Sequence, residues 1–224
     1  MTASKPPAGL QTLERGLTVL EVVAAAGACT AADVMARTGL HRSIAYRLLS
    51  TLEARGYLRR GGNGRYEIGA SVLPVAAAVR TELQTAARAA LAQVAEATGA
   101  TAFLAIPQGD DAVTLVTAEP PATSTPFAYR PGARHPLTRG APGLAILAAG
   151  PPRPGERAEV TLARELGHVR TTGEVLPGVS SVAVPVHLRD GRVAAACVLY
   201  APGWTNEQEA ISLLTAVAER LTAS

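Results

Sequence analysis

Four side chains packed into six positions carry the clearest chemical signal: Arg42, Ser43, Tyr46 and Arg47. They fall in the first two turns of a helix predicted from about Arg42 to Arg55. They lie largely off its apolar stripe of Ile44, Leu48, Leu49 and Leu52. Arginine forks onto guanine O6 and N7, and serine serves a phosphate or a base edge. Taken singly, such side chains are ordinary solvated groups on an exposed helix face. A second set, Arg59, Arg60 and Arg65, flanks the turn Gly61-Gly62-Asn63-Gly64. That turn is no phosphate loop, because no Gly-Lys-Ser/Thr follows and no buried strand precedes it. Catalytic constellations are missing. Cys29, Cys197, His41, His135, His168 and His187 have no metal-ligand spacing. There is no Gly-x-Ser-x-Gly and no carboxylate pair beside a histidine, so neither an enzyme nor a cofactor is expected.

The elements around the four side chains give them a setting. Leu13, Leu17, Leu20 and Val23 recur at helical spacing and predict an amphipathic helix ending near Gly27. Thr30 with Asp33 three residues on reads as an N-cap and a capping box. A short helix then runs to Thr38 with Val34 and Met35 inward, and Gly39 stops it. Helix, short helix, tight turn and helix make the helix-turn-helix pattern, whose last helix reads the major groove. Tyr57–Arg60 and Arg65–Gly69 predict a β-hairpin directly after it, with Asn63 at the tip. A hairpin there is a wing.

The charge distribution agrees. The chain has 224 residues, room for one large domain or two small ones, and a net charge of +3. Residues 1–80 carry +5 and the remainder −2. A localised basic region is the footprint of nucleic-acid binding. Lys5 is the only lysine among 21 basic residues. A GC-rich genome explains an arginine excess by default, and in the first third the excess also has a use. Hydrophobic residues make up 48% and aromatics 4%, so alanine, leucine and valine must build the cores. Cys29 and Cys197 read as buried free thiols of a cytosolic protein. No apolar run of membrane-spanning length and no signal peptide is expected, which implies a cytoplasmic location.

From Ala70 to Thr98 the pattern is alanine-rich and helical, with Pro74 in its first turn. It predicts a linker helix and the first helix of a second domain. A dimer seam along the linker remains an open alternative. Strands are expected over Thr101–Ile106, Val113–Ala118 and Phe127–Arg130, and a short helix over Pro142–Ala149. A hairpin is expected from Val179–Leu188 and Arg192–Tyr200 around Asp190-Gly191, then a terminal helix over Asn206–Thr222 with Ile211, Leu214 and Val217 inward. This order, with no β-α-β repeat, predicts an α+β domain with an antiparallel sheet flanked by helices.

Several stretches then point to one family. Leu17-Thr18-Val19-Leu20, Thr38-Gly39-Leu40, Tyr46-Arg47-Leu48-Leu49 and Leu52-Glu53-Ala54-Arg55-Gly56-Tyr57-Leu58 resemble the winged helix of IclR-family transcription regulators. Gly167-His168-Val169-Arg170-Thr171-Thr172-Gly173-Glu174 and Ser181-Val182-Ala183-Val184-Pro185 resemble that family's effector-binding domain. The resemblance covers nearly the whole chain. It implies a winged helix-turn-helix domain over 1–69, a linker helix over 70–83 and a GAF-like effector-binding and dimerisation domain over 84–224. DNA contacts are expected from Arg42, Ser43, Tyr46, Arg47, Arg60, Asn63 and Arg65.

The resemblance also implies an effector pocket lined by Thr171, Ser181, Val198 and Tyr200, and by Gly140 and Ala141 in the glycine-rich loop. The family's usual acid is replaced by Thr171, its usual cysteine by Ser181, and two strand serines by Val198 and Tyr200. A bulkier or aromatic ligand is therefore expected over a small dicarboxylate, with Tyr200 as the polar handle. The alternative is that Tyr200 fills the cavity and the domain serves only oligomerisation. The function implied is a ligand-responsive regulator, more often a repressor, that binds a palindromic operator as a dimer or tetramer. A protein-interaction module is the alternative from another class.

Overall fold

A computed structural model describes residues 10–78, 82–120 and 129–223. The chain divides into two compact units, 1–80 and 81–224.

The first unit holds α1 (Gln11–Ala26), α2 (Ala31–Thr38), α3 (Arg42–Ala54), the hairpin β1 (Leu58–Arg60) and β2 (Tyr66–Ile68), and α4 (Val72–Ala77). Val19, Val23, Val34, Leu49, Leu58 and Tyr66 form its core. The hairpin pairs Leu58 with Ile68, Arg59 with Glu67 and Arg60 with Tyr66. Cys29 adds a bridge to Tyr66, which ties the wing to the turn before α2. The apolar spacing on α1 misassigns two leucines. Leu13 and Leu17 are 60% and 51% exposed, and Leu10 before them is 78% exposed. Val23, the last of the expected stripe, faces the core, and Val19 joins it there. Helical periodicity marks an apolar face but does not say whether that face meets the core or another surface.

The predicted capping box of α2 is fully formed. Thr30 Oγ1 accepts from the Asp33 amide at 3.2 Å, and the Asp33 carboxylate accepts from the Thr30 amide at 2.9 Å. Thr30→Ala removes one half of this exchange. It is expected to cost about 1 kcal/mol, read as a lower urea midpoint with an unchanged slope.

The second unit runs α5 (Glu82–Thr98), β3 (Thr101–Gln108), β4 (Asp111–Ala118), β5 (Arg134–Pro136), α6 (Gly140–Ala149), α7 (Ala158–Leu166), β6 (Val169–Thr172), β7 (Ser180–His187), β8 (Val193–Tyr200) and α8 (Glu207–Ala223). The strands form one antiparallel sheet in the order β5-β4-β3-β8-β7-β6. One face packs on α5 and α8 through Leu91, Val94, Leu104, Leu214 and Leu221. The other packs on α6 and α7 through Phe103, Leu144, Val160 and Cys197. Both faces are covered, so neighbouring residues of a central strand are buried in opposite layers. This is the α+β arrangement expected from the sequence. Three short elements add to it: β5, α7 and β6. The expected strand over Phe127–Arg130 has its first two residues outside the described ones, and residues 129 and 130 are not in a strand.

Candidate functional site

The candidate reading face of the first unit is the start of α3. His41 is its N-cap residue, and its ring Nδ1 lies 3.1 Å from Ser43 Oγ. The Arg42 guanidinium sits 5.5 Å from the Tyr46 ring centroid, one turn along. Tyr46 is an exposed large hydrophobic residue, so the ring and the cation share a solvent-facing surface. Arg47 lines a shallow groove between α1 and α3 with Thr12, Arg15 and Thr51. Neither Arg42 nor Arg47 forms a salt bridge among the described residues. The sequence singled out Arg42, Ser43, Tyr46 and Arg47, and the structure places all four on these first two turns. It adds His41 and Arg15, which single-residue patterning had no reason to select.

The wing cations are arranged differently. Arg60 donates to the Tyr66 hydroxyl at 2.6 Å and lies 3.8 Å from the Glu53 carboxylate. Arg65 donates to the Ala28 carbonyl at 3.3 Å. Arg59 pairs with Glu67. These guanidinium groups brace the hairpin against α3 and the α1–α2 turn. Asn63 sits at the tip with φ of 61°.

In the second unit a hollow of about 300 Å³ lies between α6 and the loop after β6. That figure counts open solvent at the mouth, and the enclosed space is far below the size of a ligand pocket. Only about 20 Å³ of it admits the centre of a water molecule, so any occupant is small unless the loop opens. Thr171 and Ser181 face each other across β6 and β7 on its floor. Gly140, Pro142, Tyr129 and His135 wall one side, and Glu174, Val175, Leu176, Val179 and Leu199 the other.

The start of α6 is capped by residues 30 and 34 positions away. The local N-cap, Arg139, offers no side-chain acceptor. The Ala141 amide donates to Thr171 Oγ1 at 2.9 Å, and the Gly140 amide donates to the Glu174 carboxylate at 2.8 Å. Glycine is required at 140. Its φ is +75°, and a Cβ would stand 2.6 Å from Val175 Cγ2. Gly143 is equally fixed, since a Cβ would lie 2.5 Å from the Leu137 carbonyl oxygen.

Charge in the pocket is settled internally. Arg157 holds Glu174 with two bonds, at 2.9 and 3.0 Å, and also holds Glu159. The Arg157 guanidinium keeps the Glu174 carboxyl below the usual carboxylate range. Arg139 donates to the Glu174 carbonyl. Burial pushes the His135 imidazole down and the Tyr129 phenol up to about 12, so near neutral pH both favour their uncharged forms. Ser181 Oγ is buried and finds no partner among the described residues.

Three of the six expected pocket residues, Gly140, Thr171 and Ser181, line the hollow, and Ala141 adjoins them through its amide on Thr171. Val198 and Tyr200 do not. Both lie in the core on the α5 and α8 face of the sheet. Tyr200 stacks on Trp204 at 4.2 Å and donates to Glu207 at 2.7 Å, so it neither lines nor fills the hollow. The reason is register. Ser181 pairs with Leu199, whereas Val198 and Tyr200 pair with Val182 and Ser180. Adjacent residues of a strand point to opposite faces, so Leu199 and Cys197 face α6. Tyr129 is the phenol at this pocket. The signal for Leu199 was present, because a hairpin turning at Asp190-Gly191 sets 181 opposite 199.

With this geometry in view, comparisons with known proteins agree with one another. Residues 12–62 match the model of the IclR helix-turn-helix domain, and residues 75–222 that of the bacterial transcriptional regulator IclR C-terminal domain. The HTH-type transcriptional regulator BhcR of Paracoccus denitrificans is 27% identical, over 87% of this chain and 78% of its own. The DNA-binding transcriptional repressor YiaJ of Escherichia coli is 28% identical, over 84% and 76%. The crystal structure of an IclR transcriptional regulator from Alicyclobacillus acidocaldarius superposes with a TM-score of 0.82 at 24% identity, covering 96% of this chain and 98% of that one. An IclR homologue from Microbacterium hydrocarbonoxydans, solved with 4-hydroxybenzoate, gives 0.76 at 23% identity, covering 95% and 100%. No helix among the described residues is long and apolar enough to cross a membrane. The two units and both family models together account for nearly the whole chain, which therefore belongs to the IclR family of transcriptional regulators.

Proposed function

We propose that the protein is a cytoplasmic, ligand-responsive regulator that binds a palindromic operator as a dimer or tetramer and represses from it. One observation carries the DNA-reading half. Arg42 and Arg47 stand without a salt bridge among the described residues, beside Ser43 and Tyr46 on the exposed start of α3. The N-terminal turns of a recognition helix are the part that reaches base edges. In this reading residues 1–69 form the DNA-binding domain, 70–83 the linker and 84–224 the sensor. Arg60, Asn63 and Arg65 set the wing against the flanking backbone. Self-association is supported by Leu10, Leu13 and Leu17, which line one exposed edge of α1 at helical spacing. A palindrome matches a two-fold dimer.

The effector in this reading is a small organic molecule held between α6 and the loop after β6. The apolar side chains Val175, Leu176, Val179 and Leu199 favour a less polar or aromatic one. The Microbacterium homologue holds an aromatic ligand, which agrees with that choice. Ligand would shift the population between two arrangements of the regulator.

A salt-titrated shift assay on the operator region next to the protein's own gene tests this. The logarithm of affinity should fall linearly with that of salt, by about 0.9 for each phosphate neutralised. An affinity flat across that titration would overturn the DNA-reading assignment and favour a protein-interaction module.

A further inference from the structure

Arg15 is a half-buried cation of the first unit, and it makes no salt bridge among the described residues. The wing treats its cations otherwise. Arg59 pairs with Glu67, Arg60 with Glu53, and Arg65 rests on the Ala28 carbonyl. Arg15 on α1 and Arg47 on α3 line the same groove, with Thr12, Thr51, Ile44 and Leu48. About 280 Å³ of it admits the centre of a water molecule, far more than the roughly 10–15 Å³ that a single water needs. Among the described residues no carboxylate lines it.

The groove has a charged rim and an apolar floor. Buried Leu48 and half-buried Ile44 form the floor, and the two guanidinium groups and the Thr12 hydroxyl stand at the rim. The Thr51 hydroxyl is spent on its own helix, where it donates to the Arg47 carbonyl at 2.8 Å. Such a surface matches a sugar-phosphate backbone, in which a diester anion alternates with the C–H faces of deoxyribose. Position favours the same occupant. A helix seated in the major groove has a phosphate strand on each flank, about 12 Å apart. Arg47 belongs both to the candidate reading face and to this groove, so a duplex engaged by α3 brings one strand to the groove's mouth. Two cations without an acid between them disfavour a second basic protein surface there.

We infer that Arg15, with the Thr12 hydroxyl, clamps one backbone phosphate of the bound duplex, whose sugar lies against Ile44 and Leu48. Arg47 remains the wall nearest the bases. The clamp reads no sequence. It fixes how α3 sits in the groove, because α1 and α3 share one core through Val19, Val23 and Leu49. A pitch of 3.6 residues per turn sets Arg15 roughly 160° around α1 from Leu13 and Leu17, so the clamp leaves that exposed edge free. This inference rests on the DNA-reading assignment of the first unit.

Salt-titrated binding of the full-length protein tests it on two duplexes of equal length, the operator region next to its own gene and a scrambled version. Arg15→Gln is expected to weaken both alike, by about tenfold, and to lower the salt slope by about one. Thr12→Val should weaken both by about twofold to threefold and leave the slope in place. Arg15→Lys keeps the charge and should restore the slope, which covers a folding defect in the glutamine variant. A single uncharged methylphosphonate linkage, moved along the operator probe, then locates the phosphate. At one linkage in each half-site the wild type should lose affinity and Arg15→Gln should not. A loss in Arg15→Gln confined to the operator would make Arg15 a base reader and overturn the clamp. Altered self-association with DNA binding intact would overturn it in favour of a protein interface. Wild-type affinity and slope in Arg15→Gln, with Arg42→Ala still weakened, overturns the clamp and leaves the DNA-reading assignment standing. A wild-type affinity flat across the salt titration overturns both.

Discussion

Arg42→Ala and Arg47→Ala are each expected to weaken operator binding by about 1–3 kcal/mol, the range for loss of a bidentate base contact. Arg42 lies over the Tyr46 ring, which holds the guanidinium in one direction. Tyr46→Ala should therefore reproduce part of the Arg42 loss without removing a charge. Arg42 and Arg47 share no partner among the described contacts, so their losses should add within a few tenths of a kcal/mol. The measurement also separates two roles. A base contact relaxes discrimination at one operator position and leaves the salt slope nearly intact. A phosphate contact weakens all sequences alike and lowers the slope by about one. Arg60→Ala is the informative contrast. Its guanidinium is engaged by Tyr66 and Glu53, so its removal should loosen the wing as well as weaken binding. Unchanged affinity in both Arg42→Ala and Arg47→Ala would remove the start of α3 from the reading face.

Local signals were legible wherever one element carries its own instructions. The box at Thr30 and Asp33 fixes the start of α2 by hydrogen bonds three residues apart, and the sequence shows both partners. The turn at Asp190-Gly191 and the apolar runs around it define the β7–β8 hairpin. The start of α6 is the opposite case. Its capping groups come from Thr171 and Glu174, and the local residue, Arg139, carries no capping signal. Glu174 lines the pocket, and nothing in its local sequence marks it as doing so.

The errors at Val198 and Tyr200 have a different origin. Every residue from Ala194 to Tyr200 is buried, because helices cover both faces of the sheet. A run without polar alternation does not declare which face a residue takes. Only pairing with β7 resolves it, and a shift of one position moves the whole set to the other layer. Leu13 and Leu17 failed for a related reason, since an apolar helix face reads alike whether it meets the core or another surface. The basic first third shows the same limit. The sequence locates the charge, but the structure divides it between Arg42 and Arg47, which make no salt bridge among the described residues, and Arg59 and Arg60, which pair with Glu67 and Glu53.

Phe103→Ala is expected to destabilise the second unit by about 3–5 kcal/mol, the usual cost of deleting a buried phenylalanine ring. Phe103 is fully buried on β3, near the middle of the sheet, opposite Cys197 on one side and Thr117 on the other. Its ring centroid lies 4.7 Å from that of Tyr129, so the same ring supports the core under α6 and one wall of the pocket. Truncation thus removes apolar burial, an aromatic pair and the backing of Tyr129 together. Trp204 is the chain's only tryptophan and belongs to this unit, which makes its fluorescence a specific reporter of the unit's unfolding. The transition it follows should fall by roughly 6–20 °C for a domain of this size. Phe103→Leu keeps most of the volume and should cost much less. Tyr200→Phe supplies the control from the opposite face: it removes the bond to Glu207 and costs about 1 kcal/mol. A cost below 1 kcal/mol for Phe103→Ala would mean that Tyr129 collapses into the vacated space.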